Sequence, residues 1–140
     1  MISSSVLELN WLEQIPQNQP TMIIAEGLLE YLNEDEVKEL LKRLTNYFPQ
    51  GEIAFDVMNS FAVNSGKDHL KETTGAVHKW TVDDHNSVDQ LNDKLRKIAA
   101  LSIFKSTYVH KLPLKTRLLY SALYMIPNFR NMMRLLLYRF

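Results

Sequence analysis

"TMIIAEGLLEYL", Thr21 to Leu32, is the stretch on which the reading of the fold turns. Thr21 to Ala25 is apolar without alternation and lies between Pro20 and Gly27, which suits a strand covered on both faces, as in a parallel α/β sheet. It ends abruptly in Glu26 and Gly27, and an apolar, helix-like segment follows at once. A carboxylate at the carboxyl end of a buried strand is either a turn acid or a working group.

The residues downstream place this strand in a larger unit. Asn33 can cap a helix, Glu36 sits three residues later, and Glu34, Asp35 and Glu36 crowd the first turn, where the helix dipole favours anions. Val37, Leu40, Leu41, Leu44 and Phe48 recur at helical spacing, with charged residues between them. "PQG", Pro49 to Gly51, stops the helix, and "EIAFD", Glu52 to Asp56, reads as a second strand that again ends in an acid. Strand, helix and strand with short connections predict a βαβ unit with parallel strands.

Beyond it, the polar, glycine-containing run from Asn59 to Gly75 predicts a short helical piece and a loop. Val88, Leu91, Leu95 and Ile98 predict an amphipathic helix capped by Asn86 or Ser87, and Leu101 to Val109 a third strand on a partly exposed edge. Pro113 starts a helix carrying Leu118, Leu119, Ala122, Leu123 and Ile126 on one side, and Pro127 ends it. For "MMRLLLYRF", Met132 to Phe140, periodicity leaves a terminal strand and an amphipathic helix both open.

Composition bounds the function. The 140 residues suffice for one domain with a core, and 46% hydrophobic with 23% charged residues is ordinary for a globular chain. Basic and acidic residues balance at 16 each, so nothing points to nucleic acid as a partner. The absence of cysteine removes disulfides, thiolate metal sites and thiol nucleophiles and fits a cytoplasmic setting, as does the lack of a signal-peptide pattern at the N-terminus.

Chemistry-bearing motifs are few. His69, His78, His85 and His110 lack the close spacing of a zinc site, so no metal is expected. Ser3, Ser4 and Ser5 form no nucleophile elbow, and neither G-x-G-x-x-G nor a Walker pattern occurs. Trp80 reads as a core or lid anchor. The tail "FRNMMRLLLYRF" admits a membrane-surface face, but three adjacent leucines sit more simply in a sheet, so no membrane partner is expected. Glu26 and Asp56 would face the crevice beyond the strand ends, where open α/β sheets bind ligands. They read equally well as acids serving neighbouring helix starts.

Taken together, "PTMIIAEGLLEYLNEDEVKELLKRLTNYFPQGEIAFDVMN" resembles the second half of S-adenosylmethionine-dependent O-methyltransferases of the leucine carboxyl methyltransferase type, including the tetracenomycin polyketide O-methyltransferase-like branch. The shared pattern is an apolar strand, then Glu26-Gly27, an apolar pair, and Tyr31-Leu32. It extends to F-P-x-G-E-x-x-F-D over the second strand and K-W-x-x-D-D at Lys79 to Asp84. The resemblance implies an α/β fold, a partial Rossmann-like methyltransferase sheet of the fourth to seventh strands with flanking helices and an antiparallel last strand. It therefore implies a strand at Met132–Phe140.

It also implies S-adenosylmethionine as cofactor of the full-length enzymes, with weak or absent binding expected in this chain, and a small-molecule or peptide carboxylate or hydroxyl as methyl acceptor. Glu26 and Gly27 would lie at the cofactor's polar end. Ser5 and Val6, in "SSVLEL", match the segment beside the adenine, and Tyr31, Asp56, Met58 and Asn59 would line the acceptor pocket. No residue is assigned a covalent or acid–base catalytic role. The first three strands of such enzymes have no counterpart in the sequence. The expectation is a single truncated domain over residues 1–140, inactive alone, and homo-oligomeric through the exposed edge of its first strand. The rival expectation is a non-catalytic oligomerising module built on the same fold.

Overall fold

The computed structural model describes residues 2–8 and 10–140, with the side chains of 67–69 excepted. His69 and its neighbour Asp68 thus lie outside the described side chains. Four strands, β1 (Thr21–Ala25), β2 (Gly51–Met58), β3 (Arg96–Ser102) and β4 (Met133–Arg139), form one sheet in the order β1-β2-β4-β3. β1 and β2 are parallel, and β4 runs antiparallel to both β2 and β3. The C-terminal segment is therefore a strand, inserted between β2 and β3. It holds three leucines there with Leu136 and Tyr138 buried against the core.

Between β1 and β2 lies α1 (Glu34–Tyr47), opened by a complete capping box. Asn33 Oδ1 accepts the Glu36 N–H at 2.9 Å while Glu36 Oε2 accepts the Asn33 N–H at 2.8 Å. Val37, Leu40, Leu41 and Leu44 are buried in one cluster with Ile53, Phe55, Val57, Leu136 and Tyr138 of the sheet. Opposed residues in a ladder share a face, so the pairs Ile23–Ile53, Ala25–Phe55, Phe55–Leu136 and Ile53–Tyr138 define the face that this helix covers.

The opposite face differs from the expectation of a strand covered on both sides. Met22 and Ile24 on β1, Leu135 on β4 and Leu101 on β3 are exposed. Burial along β1 alternates accordingly, although its sequence does not.

Three further expectations are corrected. Asn59 to Gly75 is mostly one helix, α2 (Ser60–Thr74), capped by Asn59 Oδ1 on the Ala62 N–H and ended by Gly75 at φ 71°. The amphipathic helix expected over Val88 to Ile98 is instead a single 3-10 turn, Ser87–Gln90, followed by β3. Asn92 intervenes: its carbonyl takes the Leu95 N–H and its Oδ1 the Lys94 N–H, a local turn that competes with helix continuation. The third strand lies earlier than Leu101–Val109, since Ser102 Oγ and Ser106 Oγ accept the N–H groups of Phe104 and Tyr108 and fold the chain into 3-10 turns. After those turns come α3 (Leu114–Met125) and the short α4 (Pro127–Arg130).

Candidate functional site

The carboxyl ends of β1 and β2 lie side by side, and the chain leaves each by a different device. After β1, Gly27 takes φ 59°, a left-handed conformation that a side chain would strain. Its N–H donates to Asp56 Oδ1 at 2.9 Å. Asp56 is buried, and its carboxylate holds the β1 turn rather than capping the following helix; Asn59 does the capping. Asn59 also donates from Nδ2 to the Asn128 carbonyl at 2.9 Å, tying the start of α2 to α4.

The turn then forms a 3-10 segment, Leu29–Tyr31, that buries both Leu29 and Glu30. A strap of residues 78–83 crosses the strand ends and is fixed at three points. The Glu30 carbonyl accepts the Lys79 N–H at 2.7 Å, the Met58 carbonyl accepts the Val82 N–H at 2.8 Å, and Asp83 Oδ1 accepts both the N–H and the hydroxyl of Ser60 at 2.8 Å. Trp80 is buried as the strap's anchor, and Tyr31 and His78 rings meet at 5.2 Å between centroids. Between the strap and α2 opens a cleft of about 320 Å³, lined by His78, Lys79, Thr81, Ser60 and Asn64 among others.

Glu30 stands out electrostatically. Burial pushes its carboxyl above the ordinary glutamate range, a hydrogen bond from its own backbone N–H opposes this, the Asp56 charge adds to it and His78 opposes it. Two carboxylates thus share the ground beneath the turn, one buried as a structural acceptor and one held toward its neutral form. Glu26, by contrast, is exposed beside Gly27, with its carboxylate open at the rim of the strand ends.

The candidate residues therefore divide. Gly27 and Asp56 are bonded to each other, Met58 and Asn59 hold the strap and α2, Tyr31 meets the His78 ring of the strap at a tilt, and Glu26 is the exposed acid. Ser5 and Val6 make their bonds elsewhere: Ser5 Oγ accepts the Leu7 N–H, and the Val6 carbonyl accepts from Trp11 Nε1 and from the Arg43 guanidinium of α1. Glu30 and His78 are the residues that pattern reading passed over. The signal for Glu30 was its position one residue after Leu29 in a turn too short to carry every side chain outward.

A sheet with a parallel pair, an antiparallel strand inserted beside it, and an acid and a glycine at the strand ends is a class of ligand-binding α/β fold. No family model matches the chain. It is 30% identical over 141 aligned residues to the tetracenomycin polyketide synthesis O-methyltransferase of Streptomyces glaucescens, covering 100% of this chain and 52% of that protein. It is 34% identical over 88 residues to an S-adenosyl-L-methionine-dependent methyltransferase of Gibberella zeae, covering 56% of this chain and 30% of the relative. A crystal structure of a DUF574 family protein from Streptomyces avermitilis shares the fold with a TM-score of 0.57 at 9% identity, over 89% of this chain and 46% of that one. Over its whole length the chain is similar in sequence to the tetracenomycin O-methyltransferase-like family of S-adenosylmethionine-dependent methyltransferases. It spans about half the length of the first of these curated relatives and less of the second.

Proposed function

We propose that these residues form the acceptor-side part of an S-adenosylmethionine-dependent O-methyltransferase acting on a carboxylate or hydroxyl oxygen of a small molecule or peptide. The observation that carries this reading is the Gly27–Asp56 bond. It holds a left-handed glycine at the strand end and so leaves the Glu26 carboxylate free at the rim. The donor set fits the cofactor in part: Glu26 offers an acceptor for an ammonium group, and a Cβ at Gly27 would meet only Glu30 Oε1, at 3.9 Å, so the backbone there is open to a ligand. When bound, the cofactor supplies an electrophilic methyl group on a sulfonium.

This chain's residues position rather than react. Glu26 orients the donor, while the strap, with Tyr31 packed on its His78 ring, bounds the acceptor cleft. Proximity and orientation of this kind account for a large share of the barrier in such transfers.

The test is thermal unfolding with millimolar S-adenosylmethionine. Weak binding raises the melting temperature of the wild type and leaves Glu26→Gln unmoved, because a ligand stabilises only the state that binds it. No shift in the wild type overturns the cofactor assignment. Micromolar, Glu26-dependent binding by calorimetry overturns the view that the chain holds only part of the site.

A second reading, a non-catalytic oligomerising module, is favoured by one feature. Among the described residues β1 pairs with β2 alone, so its outer edge is open to another chain.

A further inference from the structure

The 12 residues of α3 turn their most apolar side to solvent. Leu114, Leu118, Leu119, Met125 and Ile126 are between 46% and 80% exposed, whereas Thr116, Tyr120, Leu123 and Tyr124 on the other side are half-buried. Residues spaced by three and four share a helix face, so Leu114, Leu118, the exposed Ala122 and Met125 form a stripe with Leu119 beside it, and Ile126 follows at the helix end. Tyr108 is 69% exposed in the preceding turn, which packs against α3.

Charge says what covers it. The net charge of zero conceals a division: all 16 acidic residues precede Lys94, and residues 94–140 contain none while carrying ten of the 16 basic ones. α3, the turns before it, α4 and the two strands flanking them all lie in that cationic half. Lys115 is exposed on this face of α3 and Lys111 in the preceding turn, its Nζ 5.0 Å from the centre of the Tyr108 ring, while the exposed Lys105 lies over the half-buried Tyr124 on the other side.

We infer that α3 and the turn carrying Tyr108 dock this protein on an anionic lipid surface. Two copies packed α3 to α3 would bring like charges together, so self-association by this face is disfavoured. The stripe consists of aliphatic tips about one flexible lysine, Lys115, with Ser121 at its edge, which offers little to fix a protein partner's register. Fluid acyl chains need no fixed register, cations at the rim suit lipid phosphates, and a tyrosine fits the headgroup level. The attachment is interfacial, since among the described residues no helix is long and apolar enough to cross a membrane. It differs from the tail-led face weighed in the sequence, because β4 buries that tail in the sheet, and it is independent of the methyl-transfer reading.

The experiment is co-sedimentation with vesicles of phosphatidylcholine alone and with a large share of phosphatidylglycerol. Binding is expected only to the anionic vesicles and should fall with added salt. Lys111→Glu and Lys115→Glu should each weaken it by about five-fold or more. Leu118→Gln with Met125→Gln should abolish it while the far-UV spectrum and melting temperature stay unchanged, as both side chains are exposed. Failure to sediment with anionic vesicles overturns the proposal, as does undiminished binding by the Leu118→Gln/Met125→Gln variant. So does light scattering that shows this variant dissociating a wild-type oligomer, which would make the face a protein interface.

Discussion

Asp56 accepts the backbone N–H of Gly27 at 2.9 Å, and so joins the ends of two strands 29 residues apart in the chain. The acceptor is buried, so removing it leaves a backbone donor without a partner. Asp56→Ala is expected to cost about 1–3 kcal/mol. Asp56→Asn keeps an acceptor oxygen and should cost less. Urea titrations of the two variants measure the difference, and equal losses would show that the bond does not hold the turn.

Glu30 gives a pH signature of opposite sign to the usual carboxylate. Its folded pKa is raised, so the folded state binds the proton more tightly than the unfolded chain does. The associated stability is complete below the unfolded value of about 4.3 and is lost as pH rises through the folded pKa. Glu30→Gln mimics the neutral form. It should therefore melt higher than the wild type at neutral pH, with the advantage shrinking toward pH 4. Melting curves across this range check the sign.

The sequence made the first half of the fold legible and much of the second half not, for physical reasons. Thr21–Ala25 matches β1 because Pro20 and Gly27 punctuate it, and Asn33 with Glu36 marks α1 because a capping box is written in adjacent residues. β3 was misplaced because side-chain-to-backbone bonds of Asn92, Ser102 and Ser106 set its limits, and no periodicity records such bonds. In the candidate site, Gly27 and Glu26 carried a pattern. Glu30 and His78 did not, since their role comes from a strap that arrives some fifty residues after Glu30. The helix α3 was legible, but its sides were not: Leu123, grouped with Leu118 and Leu119 by spacing, is half-buried on the other side, and periodicity cannot say which way a side faces.

Tyr138, on β4, is fully buried, stacks on Phe55 at 5.8 Å and donates its hydroxyl to Asp89 at 2.7 Å. Burial works to raise the Asp89 pKa, but the hydrogen bonds from Tyr138 and Lys97 outweigh it and hold the carboxylate below its usual range. That stability is present above the unfolded value of about 3.9 and lost as pH falls through the folded pKa. Tyr138→Phe keeps the stack, should cost about 1 kcal/mol at neutral pH, and should lose its disadvantage in acid. Chemical denaturation at pH 7 and below pH 4 makes the comparison.

Gly51 is fixed by contact rather than by conformation. A Cβ there would lie 2.6 Å from the Thr21 carbonyl oxygen and 2.7 Å from the Phe140 ring. The ring can move, but the carbonyl belongs to the β1 backbone opposite it in the ladder. Gly51→Ala should cost about 1–3 kcal/mol by overpacking, and adding Phe140→Ala should not restore the loss. A double variant as stable as Phe140→Ala alone would place the strain on the ring instead.

The open edge of β1 yields the last prediction. The strand is hydrogen-bonded to β2 only, and its Met22 and Ile24 side chains are 52% and 72% exposed. An unpaired, apolar, five-residue edge is a template for another chain, and a lysine on it is a common natural safeguard. The wild type is expected to self-associate through this edge, and Ile24→Lys to shift it to monomer with an unchanged far-UV spectrum. Light scattering on the eluting protein decides: a clean wild-type monomer at high concentration sinks the idea. If the oligomer persists in Ile24→Lys, the contact lies elsewhere. Because the strands on either side of α3 in the chain, β3 and β4, do not pair with β1, Ile24→Lys should leave vesicle binding intact, which separates the two surfaces.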